Sequence, residues 1–333
     1  MYALDEATRL GLQQFKDQVA RLNGAESFNS TIGVKPAVQQ VMIDRYKEQT
    51  DFLKKINIVQ VKEATGEKLA LGSDQSVAST TDTRIQPRRP TPIGDVEHVD
   101  DYVCTQTNYD IAYEWKKIDN WSSQPNFLER LKNFGLKQVA QDKQRIGFNG
   151  THRAKTSNKT LYPKLDDVNV GWCEKIRTFS PERYLKSIAV GAGHEFKNLD
   201  ALVAMIINDL IAEQYRENDD LVVIAARGLV NDKYENLINQ TLAPTETAAA
   251  KALYKTKELG NLPVDTPAFF LPSGLMVTSY DNLSIYQQRG SIRRFIKDEP
   301  EWDRTSDYQS ANECYVVEDY DKCVLIDEVI LEP

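Results

Sequence analysis

Apolar residues at Leu4, Leu12, Phe15, Val19 and Leu22 fall near a 3.6-residue period and predict an amphipathic helix over residues 4–22. Asn23-Gly24 ends it, as glycine just past a helix does. Residues 25–35 are small and polar, with a β-branched patch at Thr31-Ile32. Pro36 then suits the first turn of a second helix running to about Lys55. The chain thus opens with a helical unit on a tether. Strand-like positions Ile56, Ile58, Val59 and Val61, a turn at Thr65-Gly66 and a return over Lys68 to Leu71 predict a β-hairpin over 56–71.

From Gly72 to Thr107 the pattern fails. The stretch is rich in Ser, Thr, Asp, Gln, Arg and Pro, with scattered apolar residues such as Val77, Ile85, Ile93 and Val96. Arg84, Pro87, Arg88, Arg89, Pro90 and Pro92 form its tightest cluster, and prolines so spaced favour an extended backbone. Asp95, Glu97, Asp100 and Asp101 follow. Compact domains rarely carry structureless loops beyond about 15 residues unless the loop has a task. An arm without a core of its own must lie on something else, and a neighbouring subunit is the expected support.

Strand character returns over 102–118 through Tyr102, Val103, Tyr109, Ile111, Tyr113 and Trp115. The longest predicted helix runs from Pro125 to about Phe148, roughly 36 Å at 1.5 Å per residue, and Asn149-Gly150 stops it. A polar loop occupies 151–168, and a short helix or turn unit follows around Trp172 to Leu185. Leu202, Met205, Ile206, Leu210 and Ile211 give a helix over 199–216 its inward face. Leu221 to Ala226 is a continuous apolar strand, buried on both faces. Helix resumes over Asp232 to Gln240, and strands at about 268–271, 275–279, 314–318 and 323–331 finish the chain. Helices and strands mix without regular alternation, which predicts an α+β fold.

The 333 residues suffice for about two domains, and 41% apolar content supports a sizeable core. No apolar run reaches membrane-spanning length, and the first residues lack a signal-peptide core, so the expected compartment is cytoplasmic. The net charge of −8 argues against a dedicated nucleic-acid binder. Cys104, Cys173, Cys314 and Cys323 form no CxxC pair and read as reduced, mostly buried thiols.

Chemistry-bearing patterns are sparse. His98, His152 and His194 lie in separate segments without a second ligand at metal spacing. Gly191-Ala192-Gly193 follows the strand-like Ile188-Ala189-Val190 and precedes a helix, so it could hold a phosphate. The third glycine of a dinucleotide fingerprint is missing, and the stronger reading is a flexible loop with Asn198 as helix cap. Tyr109, Tyr113, Trp115 and Trp121 could stack single-stranded bases, but strand aromatics are more often core. The acidic run Asp298, Glu299, Glu301 and Asp303 reads as a solvated loop or as an interface patch for a basic partner. No catalytic, cofactor or metal site is expected.

Several stretches carry a family likeness. They include Thr50-Asp51-Phe52-Leu53 with Ile56-Asn57-Ile58, Ser79-Thr80-Thr81-Asp82-Thr83, and Gly147-Phe148-Asn149-Gly150 with Arg153-Ala154. Gly171-Trp172, Asn198-Leu199-Asp200-Ala201, Leu221-Val222-Val223-Ile224, Gly260-Asn261-Leu262-Pro263, Asn282-Leu283-Ser284-Ile285-Tyr286 and Tyr315-Val316-Val317-Glu318 continue it in order. The sequence resembles the major capsid proteins of the Peduovirus type of contractile-tailed phage, and so the Hong Kong 97 capsid fold.

That resemblance implies a protein that assembles through hexamers and pentamers into an icosahedral shell around double-stranded DNA. Residues 1–55 would be the N-terminal arm, with 1–30 removable and scaffold-contacting, and 56–118 the hairpin and extended loop. Residues 119–198 would be the peripheral domain with its spine helix at 125–148, 199–295 the axial domain, and 296–333 strands returning to the core. Partners would be further copies, a scaffold and protease protein, a portal, a decoration protein and, non-specifically, packaged DNA. Assembly would take place in the bacterial host cytoplasm. The expected inter-subunit residues are Arg84, Arg88 and Arg89 of the arm, with Asp298, Glu299 and Glu301 as acidic counterparts. Cleavage between Ala25 and Ile32 is expected at Ser27, Asn29, Ser30 or Thr31, since small polar segments are where proteases act. Two alternatives stand beside this: a shell of the same fold enclosing cargo enzyme, and a nucleotide-binding enzyme using the Gly191 loop.

Overall fold

The computed structural model describes residues 6–22, 31–68, 78, 80–85, 87, 88, 100–122, 127–231 and 258–332. The chain opens with α1 (Glu6–Leu22), β1 (Ile32–Gly33), α2 (Pro36–Gln49), α3 (Asp51–Lys55), β2 (Asn57–Val61) and β3 (Thr65–Glu67). After the arm come β4 (Asp101–Val103), β5 (Thr105–Asn108), β6 (Ile111–Glu114), α4 (Trp115–Ser122), α5 (Phe127–Asn149) and α6 (Trp172–Phe179). Next are β7 (Tyr184–Val190), α7 (Leu199–Met205), β8 (Leu221–Ala225), β9 (Glu258–Leu259), β10 (Leu262–Asp265) and β11 (Leu275–Ser279). The described chain closes with β12 (Leu283–Gln288), β13 (Arg293–Glu299), β14 (Arg304–Val317) and β15 (Val324–Leu331).

The fold is α+β, as expected. One sheet runs in the order β1-β13-β14-β12-β2, with β5 and β6 also paired to β14. The second runs β7-β15-β11-β8-β10-β9. The long strand β14 organises the first sheet, since β12, β13, β5 and β6 all run antiparallel to it.

The apolar run at β8 shows why the second sheet is buried on both sides. Val222 and Ile224 face a core shared with α5, α6 and the first sheet, while Val223 and Ala225 face a second core under α7. The same alternation holds across β11 and β15, where Met276 and Leu325 point one way and Leu275, Val277, Val324 and Ile326 the other. Trp172, Phe148, Phe52, Phe270 and Tyr315 form the aromatic centre of the first core.

Several local expectations are corrected. The helix expected over 36–55 breaks at Thr50, whose extended backbone (φ −135°, ψ 138°) starts α3 and whose hydroxyl accepts the Leu53 N–H at 3.2 Å. No local hairpin forms over the described part of 56–71. Strand β2 instead pairs in parallel with β12, Ile58 opposite Ile285, and β3 pairs with β4, Gly66 opposite Tyr102. Long-range pairing overrides the Thr65-Gly66 turn signal, and residues 69–71 lie outside the described residues.

Trp115 opens a helix rather than closing a strand, with its indole N–H on the Thr305 hydroxyl at 3.0 Å. Leu185 lies in β7, not in the helical unit after Trp172. The helix expected over 199–216 stops at Met205, and a π-helical turn carries Ile206–Leu210. The Arg183 and Arg216 side chains then take the freed carbonyls of Leu210 and Ile211. Residues 268–271 are a turn with Phe269 at φ 65°, pinned by Asn149 and Gln144 side chains on the carbonyls of Phe269 and Ala268. The strand expected at 314–318 is the end of the far longer β14. Helix α5 matches expectation, while Pro125 and Asp232 to Gln240 lie outside the described residues.

Candidate assembly surfaces

The arm leaves and returns at one place. At its exit, the Lys68 ammonium donates to the Val317 carbonyl at 2.5 Å and sits 4.6 Å over the Tyr320 ring. At its return, Asp100 accepts from Lys175 at 2.5 Å and from the Tyr320 hydroxyl at 2.9 Å. Burial pushes the Lys68 ammonium below the ordinary lysine value, and the Asp100 charge opposes that push. Burial, then the Asp100 charge, drives the Tyr320 hydroxyl upward. With the β3–β4 ribbon, this cluster fixes both ends of the arm to the end of β14 and to α6. Nothing in the sequence marks it except two charges flanking a polar stretch.

Arg84 and Arg88 are exposed, and among the described residues neither guanidinium has an ion-pair partner. The Asp82 carboxylate accepts the Arg84 backbone N–H at 3.0 Å, closing a turn that leaves Ile85 83% exposed. Arg89 lies outside the described residues.

The acidic run is not a free loop. Asp298 and Glu299 end β13, and Glu301 sits in the turn before β14. Asp298 takes Lys16 of α1 at 2.6 Å and the Thr305 hydroxyl at 2.8 Å. Glu299 accepts from Tyr308, Arg304 and Ser306 at 2.7, 2.7 and 2.9 Å. Those hydrogen bonds, Tyr308's first, hold its carboxyl down to about 2. Glu301 is exposed beside Trp302, whose side chain is 68% exposed, and has no partner among the described residues.

Helix α1 covers this edge. Leu12 packs with Tyr113, Trp115, Ile118 and Leu131, while Phe15 and Val19 pack on Ile296. Arg294, paired with the buried Asp307 at 2.5 Å, lies 5.7 Å from the Phe15 ring. A groove of about 470 Å³ runs beside α1, lined by Phe15, Val38, Val41, Met42, Leu136 and Val139 among others. Of the cleavage candidates, Thr31 is exposed directly before β1, and Ser27, Asn29 and Ser30 lie outside the described residues.

The described residues with candidate chemistry have these local contacts. The Gly191 N–H is spent on the Phe196 carbonyl at 2.9 Å, and a Cβ there would lie 2.4 Å from the Glu332 carbonyl oxygen. Asn198 accepts the Ala201 N–H at 2.8 Å and caps α7. His194 pairs with Glu332 at 2.8 Å, His152 contacts Thr151 and Tyr162, and His98 lies outside the described residues. Tyr109, Tyr113 and Trp115 are buried in the core. The Tyr109 hydroxyl and the Lys143 ammonium both bind the fully buried Glu313. All four cysteines are buried thiols. Among the described residues no group of three His, Cys, Asp or Glu side chains is arranged for a metal, and no helix is long and apolar enough to cross a membrane.

Residues 11–329 match the family described as "Phage major capsid protein, P2 family". The chain belongs to this family. It is 36% identical to the "Capsid proteins" of Escherichia phage P2, over 97% of this chain and 95% of that one. It is 34% identical to the "Major capsid protein" of Serratia phage KSP20, over 98% and 97%. The fold matches a chain of the solved "Satellite phage P4 procapsid including size determination (Sid) protein" with a TM-score of 0.81, at 34% identity and 99% coverage of both chains. The Hong Kong 97-like capsid fold implied by the sequence is thus the fold of this chain, and its place is among the structural proteins of phage virions.

Proposed function

We propose that this chain assembles through rings of six and of five copies into the icosahedral shell that encloses a phage DNA genome. A single chain in both ring types needs contacts that repeat and tolerate changing curvature. The observation that carries this reading is the arm between Lys68 and Asp100, held at both ends by one buried cluster. A firm root lets the segment between these two ends meet a neighbour without disturbing its own core.

In this reading Arg84, Arg88 and Arg89 meet acidic groups of the neighbouring copy. Glu301 is the freest of the three expected acidic residues, since Asp298 and Glu299 already hold cis partners. Charges so placed set register and partner choice more than bulk affinity. Helix α1, on its outer face, engages a scaffold protein, and cleavage between Ala25 and Ile32 releases it. The part around the second sheet, within 199–295, forms the axial contacts of the ring, and α5 is the spine of the peripheral part. A portal and a decoration protein complete the particle. The acidic chain contacts packaged DNA weakly and performs no catalysis. Assembly precedes release from the bacterial cytoplasm.

The test is co-expression with a scaffold protein, followed by light scattering and electron microscopy. Wild-type chain should give closed shells. Reversing Arg84, Arg88 and Arg89 together to Glu should leave a folded but unassembled chain. Normal shells from the triple variant would refute the arm contact, and a persistently monomeric wild type would refute the shell.

A further inference from the structure

The arm root holds a second feature that the assembly reading does not use. Cys104 lies between β4 and β5, and Cys314 lies on β14. Their sulfurs are 3.4 Å apart, and both side chains are buried. Thr105 pairs with Glu313, so Cys104 falls opposite Cys314 when the register is carried one residue further. The Cys104 N–H points away from β14 and donates to the Ala64 carbonyl at 2.7 Å. The two cysteines therefore stand as a non-hydrogen-bonded pair, the arrangement that brings side chains on adjacent strands closest. Closing the sulfurs to bonding distance takes a shift of roughly 1.4 Å, within the reach of side-chain rotation.

We propose that Cys104 and Cys314 are a disulfide site: reduced while the chain is made and assembled, and joined once the particle meets an oxidising exterior. The site itself stands independently of the shell reading, whereas the timing rests on it. Cytosolic thiol pools keep such pairs reduced, and virion surfaces are among the places where disulfides persist. The oxidant is a small-molecule disulfide. The Cys104 thiolate, supported by the S–H of Cys314, attacks one of its sulfurs and expels a small thiolate. Cys314 then loses its proton and attacks the Cys104 sulfur, expelling the second thiolate. One S–S bond is formed in the protein and one is broken in the oxidant, and two protons and two electrons pass to the two small thiols.

The bond would tie the returning end of the arm covalently to the strand that organises the first sheet. Its effect is to fix the arm root after assembly, when adjustment is no longer needed. All four cysteines are buried, and burial pushes the Cys173 and Cys323 thiols up to about 12, whereas the adjacent Cys314 S–H lowers Cys104, so Cys104 starts the exchange and Cys314, 3.4 Å away, completes it.

The test uses the full chain, purified under reductant, then incubated natively with oxidised glutathione. Free thiols counted after denaturation should fall from the four of the sequence to two. Peptide mapping without reductant should show the Cys104 and Cys314 peptides joined, and those of Cys173 and Cys323 unmodified. The oxidised chain should melt at a higher temperature than the reduced one, reversibly, and Cys314→Ala should abolish that difference. Four persisting thiols, a link through Cys173 or Cys323, or a link formed only when oxidant is added in denaturant would each overturn the proposal. These readouts need no shell, so their failure is distinct from failure of the assembly reading.

Discussion

Trp172 packs directly on the backbone of Gly147: a Cβ built on that glycine would lie 2.2 Å from the indole ring. The same indole donates to the Ser284 carbonyl at 2.9 Å, so one side chain fixes where α5, α6 and β12 meet. The close approach explains why Gly147 sits inside a long helix, where glycine costs about 1 kcal/mol relative to alanine.

Gly147→Ala should therefore destabilise the protein despite its better helix propensity. Overpacking a filled core costs about 1–3 kcal/mol, which exceeds or cancels the helical gain. Denaturant unfolding followed by tryptophan fluorescence checks this. A variant more stable than wild type by the full helical gain would show that the indole moves aside freely.

Glu313 is fully buried and is bound by Lys143 and by the Tyr109 hydroxyl. Burial, then the Glu313 charge, holds Tyr109 well above the ordinary tyrosine value. Glu313→Gln should cost about 3–5 kcal/mol, because it leaves the Lys143 charge buried without its counterion. Pairing Glu313→Leu with Lys143→Met should lose less than the two single changes summed. Additive losses in that double-mutant cycle would rule out the coupling.

The same buried polar groups explain what the sequence hides. Helices α1 and α5, the two-sided strand β8 and the Asn198 cap were legible, because period, continuous apolarity and capping are local signals. Most of β14 was not. Thr305, Ser306, Asp307 and Glu313 look like loop residues, yet each is buried and satisfied by a partner elsewhere: Trp115, Glu299, Arg294 and Lys143. The β2–β12 and β3–β4 pairings were hidden for a related reason, since they join segments whose proximity only the whole fold creates. At the candidate surfaces, exposed Arg84 and Arg88 were legible, whereas the Lys16 partner of Asp298 and the arm anchor were not.

Glu299 should titrate with a midpoint near 2, against an ordinary 4.5. Its folded value is depressed, so its contribution to stability is complete above the ordinary value and is lost as pH falls through the lower one. The β13–β14 hairpin end should loosen in that acidic window. Carboxyl titration by NMR checks it, and Tyr308→Phe, which removes the leading hydrogen bond, should raise the midpoint. A wild-type midpoint of 4.5 would show that these bonds do not persist in solution.

Asp100→Asn should release the arm root while sparing the core. Asp100 is the shared acceptor for Lys175 and the Tyr320 hydroxyl, and it also opposes the burial penalty on Lys68. Neutralising it leaves two partly or wholly desolvated ammonium groups near one another without their carboxylate. Burial already pushes the Lys68 ammonium below its ordinary value, and losing the opposing Asp100 charge should lower it further. A broken buried charge pair costs about 3–5 kcal/mol, so amide exchange in the β3–β4 ribbon should speed by at least about 100-fold. Exchange in β8 should stay unchanged. Asp101→Asn is the control, since Asp101 is exposed one residue further along and touches neither lysine in the cluster. If both variants exchange alike, the cluster does not anchor the arm. If Asp100→Asn alone loosens the ribbon, and if the proposed contact between the arm and a neighbouring copy holds, the same variant should also yield fewer closed shells, because a segment with a loose root would lose more entropy on settling against a neighbour.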